Sequence, residues 1–216
     1  MITTETLYIT TPGQRPDIIL APYTVKDLGP YLPVRRETIP FEHAIAQDFY
    51  QMDPQKYIDS EADSITTSWG IFNEARLVGM VATCEEVDDN EVLLENQEEI
   101  GTILFDDEMR GLGIGTLAKI GLMAHGISER GIRQYGAWTS EQNLAAQRSL
   151  HKAGFTLTEK SKYHDYGDGV ASEYWVLADM RGRPNIPFVT PPRTARFRKG
   201  WRRFARAFNE LDIQKT

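Results

Sequence analysis

Residues 105–116, Phe-Asp-Asp-Glu-Met-Arg-Gly-Leu-Gly-Ile-Gly-Thr, carry the strongest chemical signal in the chain. An apolar run over residues 100–105 ends in a polar turn, and Arg110, Gly111, Gly113 and Gly115 then lead into a helical pattern. Glycine lets backbone N–H groups approach a ligand with no Cβ in the way. The helix behind adds unpaired N–H groups and the positive end of its dipole. Strand, glycine turn and helix start together describe an anion site, and phosphate is its natural guest. A P-loop would require G-x-x-x-x-G-K-[ST], and no lysine adjoins these glycines. Gly113-x-Gly115-x-x-Ala118 meets the loose dinucleotide fingerprint. The acid that fingerprint needs, about 20 residues on, falls instead at Glu141, 28 residues past Gly113, and no further run of βαβ units follows.

Other reactive side chains are sparse. Cys84 is the sole cysteine and lies in an apolar run, so no disulfide framework exists. His43, His125, His151 and His164 show no ligand spacing with one another or with Cys84, and no metal site is inferred. Between Glu85 and Glu99 stand eight acids and no Lys or Arg. That stretch reads either as a solvated connection or as an electrostatic funnel for a cationic substrate.

The elements that position the turn follow from periodicity. A short strand covers residues 17–22, and a loose helical pattern with Phe41, Phe49, Tyr50, Met52 and Tyr57 covers 35–64, its second half opened by Asp53-Pro54. Residues 68–72 and 77–84 form a hairpin about Asn73-Glu74-Ala75-Arg76, and residues 100–105 are the strand before the glycines. A helix over 115–130 shows Leu117, Ile120, Ala124 and Ile127 on one face and stops at Gly131. A strand over 134–139 follows, then a helix from Asn143 to Gly154, then strands over 155–158 and 173–178. This order indicates a mixed α/β sheet with at least one parallel crossover.

Two segments together go further. Arg110-Gly-Leu-Gly113-Ile-Gly115 fits R-x-x-G-x-G, and Asn143-Leu-Ala-Ala-Gln-Arg-Ser-Leu-His-Lys-Ala-Gly154-Phe155 is an Asn-headed helix ending in Lys-x-Gly-Phe. At this separation they resemble the two motifs of the GNAT superfamily of acyl-CoA-dependent N-acetyltransferases, over residues 17–179. The resemblance implies an α+β fold: a mostly antiparallel mixed sheet with a splayed parallel strand pair, and helices on both faces. It implies acetyl-CoA as co-substrate, its pantetheine arm in the splay against the backbone of Ile103, Leu104 and Phe105. The amides of Arg110, Gly111, Leu112, Gly113, Ile114, Gly115 and Thr116 would hold the pyrophosphate, with charge added by Arg110. Asn143 would bond the pantetheine arm. Many relatives carry a glutamate base six residues before the strand's end, here Glu99; Glu98 would face the other way because strand side chains alternate. The tyrosine that many carry seven residues after the Asn is Leu150 here. Branches that act on protein N-termini, the ribosomal-protein alanine and serine acetyltransferases among them, also lack it. They use a serine in this helix and an acid past the Gly-Phe, for which Ser149 and Asp165 are nearest; Tyr163 or water could also protonate the leaving thiolate.

The domain expected at residues 1–180 is followed by a Pro-rich linker at 181–192 and a basic amphipathic helix at 193–216. Residues 181–216 hold ten Lys or Arg and two acids, a net +8, which leaves −15 on the first 180 residues out of the total of −7. Phe197, Trp201, Phe204, Phe208 and Leu211 form an apolar seam at helical spacing that needs a partner: its own domain, a second subunit in a homodimer, or an anionic membrane or nucleic acid. With no span of ~20 apolar residues and no secretory start, the expected location is the cytoplasm. The function expected is transfer of an acetyl group from acetyl-CoA to a primary amine, either a protein N-terminus or a small cationic amine. The competing class is a non-catalytic acyl-CoA-binding module.

Overall fold

A computed structural model describes residues 2–10, 17–32, 52–62, 66–87, 93–140, 142–162, 170–177, 199–200, 202–204, 206–207 and 210–215. The strands are β1 (Leu7–Thr10), β2 (Ile18–Ala21), β3 (Thr66–Asn73), β4 (Arg76–Val87), β5 (Leu93–Leu104), β6 (Gln134–Ser140), β7 (Thr156–Lys162), β8 (Val170–Leu177) and β9 (Asp212–Lys215). The helices are α1 (Val25–Leu28), α2 (Pro54–Ala62), α3 (Ile114–Glu129) and α4 (Leu144–Lys152). Among the described residues the strands form one sheet in the order β7-β8-β6-β5-β4-β3-β2-β1-β9. Every ladder between named strands is antiparallel except that of β5 with β6. That ladder is short: Gln97–Gln134, Glu98–Tyr135 and Glu99–Gly136 pair, and beyond them β5 keeps only β4 as a neighbour. The expected splay is therefore present, and it opens at Glu99.

The sheet separates two apolar clusters. On one face α3 packs with Leu7, Ile9, Ile18, Leu20, Trp69 and Ile100, and α4 adds Leu150. Helix α3 is buried nearly all round from Ile114 to Gly126, which is why its sequence shows more than a single apolar stripe. On the other face Tyr23, Leu28, Leu32, Leu77 and Met80 pack with Tyr57, Ile58, Ile103 and Phe105. Residues 98, 100, 102 and 104 thus face α3, and 99, 101, 103 and 105 face α1 and α2, as the two-residue period of a strand requires.

Three expectations change. The acidic stretch is not a connection throughout, because β4 runs to Val87 and β5 resumes at Leu93. Charged residues argue against strand only when their partners are unknown, and the partner of Glu98 lies in the segment after α3. Leu7–Thr10 is an additional strand, too short and too close to Pro12 to stand out. The C-terminal segment does not stay helical to residue 216, since Asp212–Lys215 pairs with β1 as an edge strand. Glu5 ties that edge down, accepting from Lys215 Nζ at 2.7 Å and from His125 Nε2 of α3 at 2.8 Å.

Residues 199–200, 202–204 and 206–207 are helical and lie against the end of α4. Helix α4 ends with Phe155 N–H donating to Leu150 O at 3.0 Å and Gly154 at φ 100°, a Schellman-type stop. Phe204 is 2% exposed against Gly154, and Arg203 donates to His151 O at 3.1 Å and to Phe155 O at 3.2 Å. Phe197, Trp201 and Phe208, like the linker at 181–192, lie outside the described residues. A Cβ on Gly200 would stand 2.3 Å from the carbonyl oxygen of Gly154, where backbone cannot yield cheaply. Gly200→Val should therefore cost about 1–3 kcal/mol, the usual range for overpacking, read as a lower midpoint in chemical denaturation. An unchanged midpoint would show that this contact does not hold the segment.

Candidate active site

The end of β5 is fixed before the glycine turn begins. Phe105 N–H donates to Val78 O at 3.0 Å and its ring stacks on Tyr31 at a centroid distance of 4.7 Å. Arg76 pairs with Asp106 at 2.5 Å, and Asp106 Oδ1 accepts from Glu108 N–H at 2.9 Å to start a single 3₁₀ turn over Asp107–Met109. Gly111 at φ 79° and Gly113 at φ 87° occupy the left-handed region, which only glycine enters freely. Gly115 does not, and a Cβ there would make ordinary contacts with Thr102 and Leu104. Its first consequence is to seat α3 over the last residues of β5.

The first bond of α3 runs from Leu117 N–H to Gly113 O at 2.9 Å, and Gly113 supplies no side-chain cap. From Gly111 to Thr116, the amide N–H groups have no acceptor among the described residues. Six consecutive donors at a helix start, beside a gap between parallel strands, form a cradle suited to an anion. Arg110 is turned back toward the strand: its guanidinium donates to Leu104 O at 3.3 Å and pairs with Asp107 at 3.0 Å. Asn143 caps α4, its Oδ1 accepting from Ala146 N–H at 2.9 Å.

Where β5 and β6 part, the two neighbouring glutamates have separate environments. Glu98 is 2% exposed and accepts from both terminal nitrogens, Nη1 and Nη2, of Arg130, the latter at 2.9 Å. Burial pushes its carboxyl pKa up, and Arg130 opposes that shift. Glu99 faces the opposite side, half-buried, and accepts from Trp138 Nε1 at 2.5 Å. Beside it on the same face Gly101 is exposed, and among the described residues nothing lies within 4 Å of where a Cβ would be. The Glu99 carboxylate, oriented by Trp138, thus lies one side-chain step from Gly101, over which no described residue stands. Further along that face lies a buried polar group: Tyr23 and Ser68 hydroxyls are 2.8 Å apart, and Ser68 Oγ donates to Glu61 at 2.9 Å. Burial pushes the Tyr23 pKa up to about 12.

Leu150, where many relatives carry a tyrosine, is 2% exposed and belongs to the core, while the candidate donor Ser149 faces α3, 3.0 Å from Thr116 Oγ1 and 3.4 Å from Lys119 Nζ. Asp165, Tyr163 and Glu141 lie outside the described residues. Sequence reading missed Trp138, Arg130 and Lys119. The signal for Lys119 was present, since it is the only charged residue between Ile114 and Ala124, where the pattern is otherwise apolar or small. Among the described residues no group of three His, Cys, Asp or Glu gathers that could hold a metal, and no helix is long and apolar enough to cross a membrane.

A splayed parallel pair, a glycine turn with free amides and an Asn-capped helix define an acyltransferase architecture. The chain belongs to the GNAT acetyltransferase family: the acetyltransferase (GNAT) domain matches residues 17–156. No curated protein matches the sequence significantly. Among solved structures, Mycobacterium smegmatis RimJ in complex with CoA-disulfide is 14% identical, with a TM-score of 0.62 over 96% of both chains. RimL, a ribosomal-protein alpha-N-acetyltransferase in complex with coenzyme A, is 15% identical at 0.58 over 79% of this chain and 97% of its own. An aminoglycoside acetyltransferase in complex with coenzyme A is 17% identical at 0.56 over 79% and 94%. At these identities the likeness is one of fold.

Removing the partner of a buried charge should be costly at the parting of the strands. Arg130→Met leaves Glu98 buried without its guanidinium and should lose about 3 kcal/mol or more of stability. Adding Glu98→Gln should recover part of that loss. Equal stability of wild type and Arg130→Met in denaturant titrations would contradict the pairing.

Proposed function

We propose that the protein transfers an acetyl group from acetyl-CoA to a primary amine by direct attack, with no covalent enzyme intermediate. The observation that carries this reading is the run of acceptor-free amides over residues 111–116 at the mouth of the β5–β6 splay. These amides would hold the pyrophosphate through charge-assisted hydrogen bonds. The backbone of Ile103, Leu104 and Phe105 and the side chain of Asn143 would hold the pantetheine arm. Arg110 reaches the pyrophosphate only if its guanidinium leaves Leu104 and Asp107.

Glu99 is the base we assign. An amine attacks only when neutral, so a carboxylate beside the open space over Gly101 can receive its proton, directly or through water. The Trp138 N–H fixes one carboxylate oxygen and so its approach to that space. The departing thiolate would take a proton from Ser149, from Asp165 or from solvent; Ser149 faces Thr116 and Lys119, with no tyrosine in α4. The acceptor we favour is cationic in solution, because eight acids lie between Glu85 and Glu99 and draw such a molecule toward the sheet. A protein N-terminus or a small amine satisfies this chemistry equally. A cytoplasmic location fits the sequence expectation.

Glu99→Gln keeps the shape of the side chain and removes its proton affinity. Acetyl-CoA should still raise the melting temperature of the variant, since a ligand bound only to the folded state stabilises it. Its kcat should fall about 10²-fold or more, in line with general-base contributions, and the deficit should shrink at high pH, where free amine is more abundant. A kcat equal to wild type across the pH range would remove Glu99 from the mechanism.

A further inference from the structure

We infer that Lys119 is a proton-linked part of the cofactor site: anion binding at the glycine turn draws a proton onto this buried amine, which then shares in holding the pyrophosphate. The inference rests on the proposed reading that residues 111–116 bind acetyl-CoA.

Lys119 lies on α3 and is 7% exposed. Its Nζ is 3.3 Å from Gly115 O and 3.4 Å from Ser149 Oγ, and Ser149 Oγ is in turn 3.0 Å from Thr116 Oγ1. Gly115 and Thr116 both belong to that run of amides, so the amine is bonded directly to one residue of the cradle and through Ser149 to a second. Its two partners are neutral oxygens. Burial alone pushes its pKa down, to about 8. The positive end of the α3 dipole nearby also disfavours a second positive charge.

The charged groups on the surrounding elements are committed elsewhere or face away. On α3, His125 is held by Glu5, and Arg130 beyond the helix end is held by Glu98. Glu129 on α3 and Arg148, His151 and Lys152 on α4 are exposed. On β5, Glu98 belongs to Arg130, and Glu99 faces the other side of the sheet. On β4, Arg76 pairs with Asp106 and Glu85 is exposed. Strands β1 and β2 carry no charge. No carboxylate therefore compensates Lys119 among the described residues. A pyrophosphate on the neighbouring amides would do so, and an opposite charge within a few ångströms favours the charged form of a lysine.

The test is titration calorimetry of acetyl-CoA binding at pH 8 in buffers of different protonation enthalpy. With the amine about half neutral at that pH, wild type should take up roughly half a proton per acetyl-CoA. The phosphate groups of the ligand, with pKa near 6, are already ionised there. Lys119→Met should bind about tenfold or more weakly with no uptake, and its affinity should be flat between pH 7 and pH 9.5, where that of wild type declines. Lys119→Arg, permanently charged, should bind with no uptake and so separates lost charge from lost proton linkage should the methionine variant misfold. Binding to wild type without proton uptake, or uptake that survives both substitutions, would overturn the inference while leaving the cofactor reading intact. A chain that shows neither heat nor a melting shift with acetyl-CoA would overturn both.

Discussion

The structure depends on an interruption. Strands β5 and β6 are parallel neighbours for only three residue pairs, and then separate within a sheet whose other strands stay paired. Just before that contact the β4–β5 ladder slips between Glu85 and Val87, and Asn96 takes a left-handed backbone, its carbonyl accepting from Arg133 N–H at 2.8 Å. A bulge raises local twist, which turns the strand toward its parting from β6. The separation leaves unpaired backbone between two strands, and unpaired backbone inside a protein needs a partner. In the proposed reading, a ligand with amide groups along a flexible arm would supply one.

The second constraint is the start of α3. Its burial nearly all round fixes the axis, and the seating of Gly115 over Thr102 and Leu104 fixes its height above β5. These amides are thereby carried at the start of a helix buried nearly all round. In the proposed reading the acceptor would approach the opposite face of the same strand, so one strand would position donor and acceptor together. Alternation along β5 separates the two carboxylates: Glu98 is held by Arg130, whereas Glu99, one residue on, faces the other side of the sheet and is held by Trp138.

Much of this was legible in the sequence because it is local. The glycine spacing, the Asn cap, the hairpin at Asn73–Arg76 and the apolar face of α3 each depend on residues within a few turns of one another. Two motifs at the right separation were enough to imply the splay and the face of Glu99. What escaped was set by contacts distant in sequence. Nothing near Glu98 announces Arg130, nothing near Glu99 announces Trp138, and the strand character of Asp212–Lys215 exists only through β1 and Glu5. Arg110 shows the converse: its motif position is as expected, yet its guanidinium is engaged by Leu104 O and Asp107. Lys119 was passed over because a lysine in an amphipathic helix is ordinarily on the solvent side, and α3 has little solvent side.

The central claim is that the amides of residues 111–116, which have no acceptor among the described residues, are satisfied by the phosphates of acetyl-CoA. Hydrogen exchange resolved at single amides measures this directly, because unbonded N–H groups exchange rapidly and bonded ones are protected. The account predicts fast exchange over 111–116 without ligand and strong protection there on adding acetyl-CoA. A chain that binds acetyl-CoA yet shows no change at those six amides would contradict it.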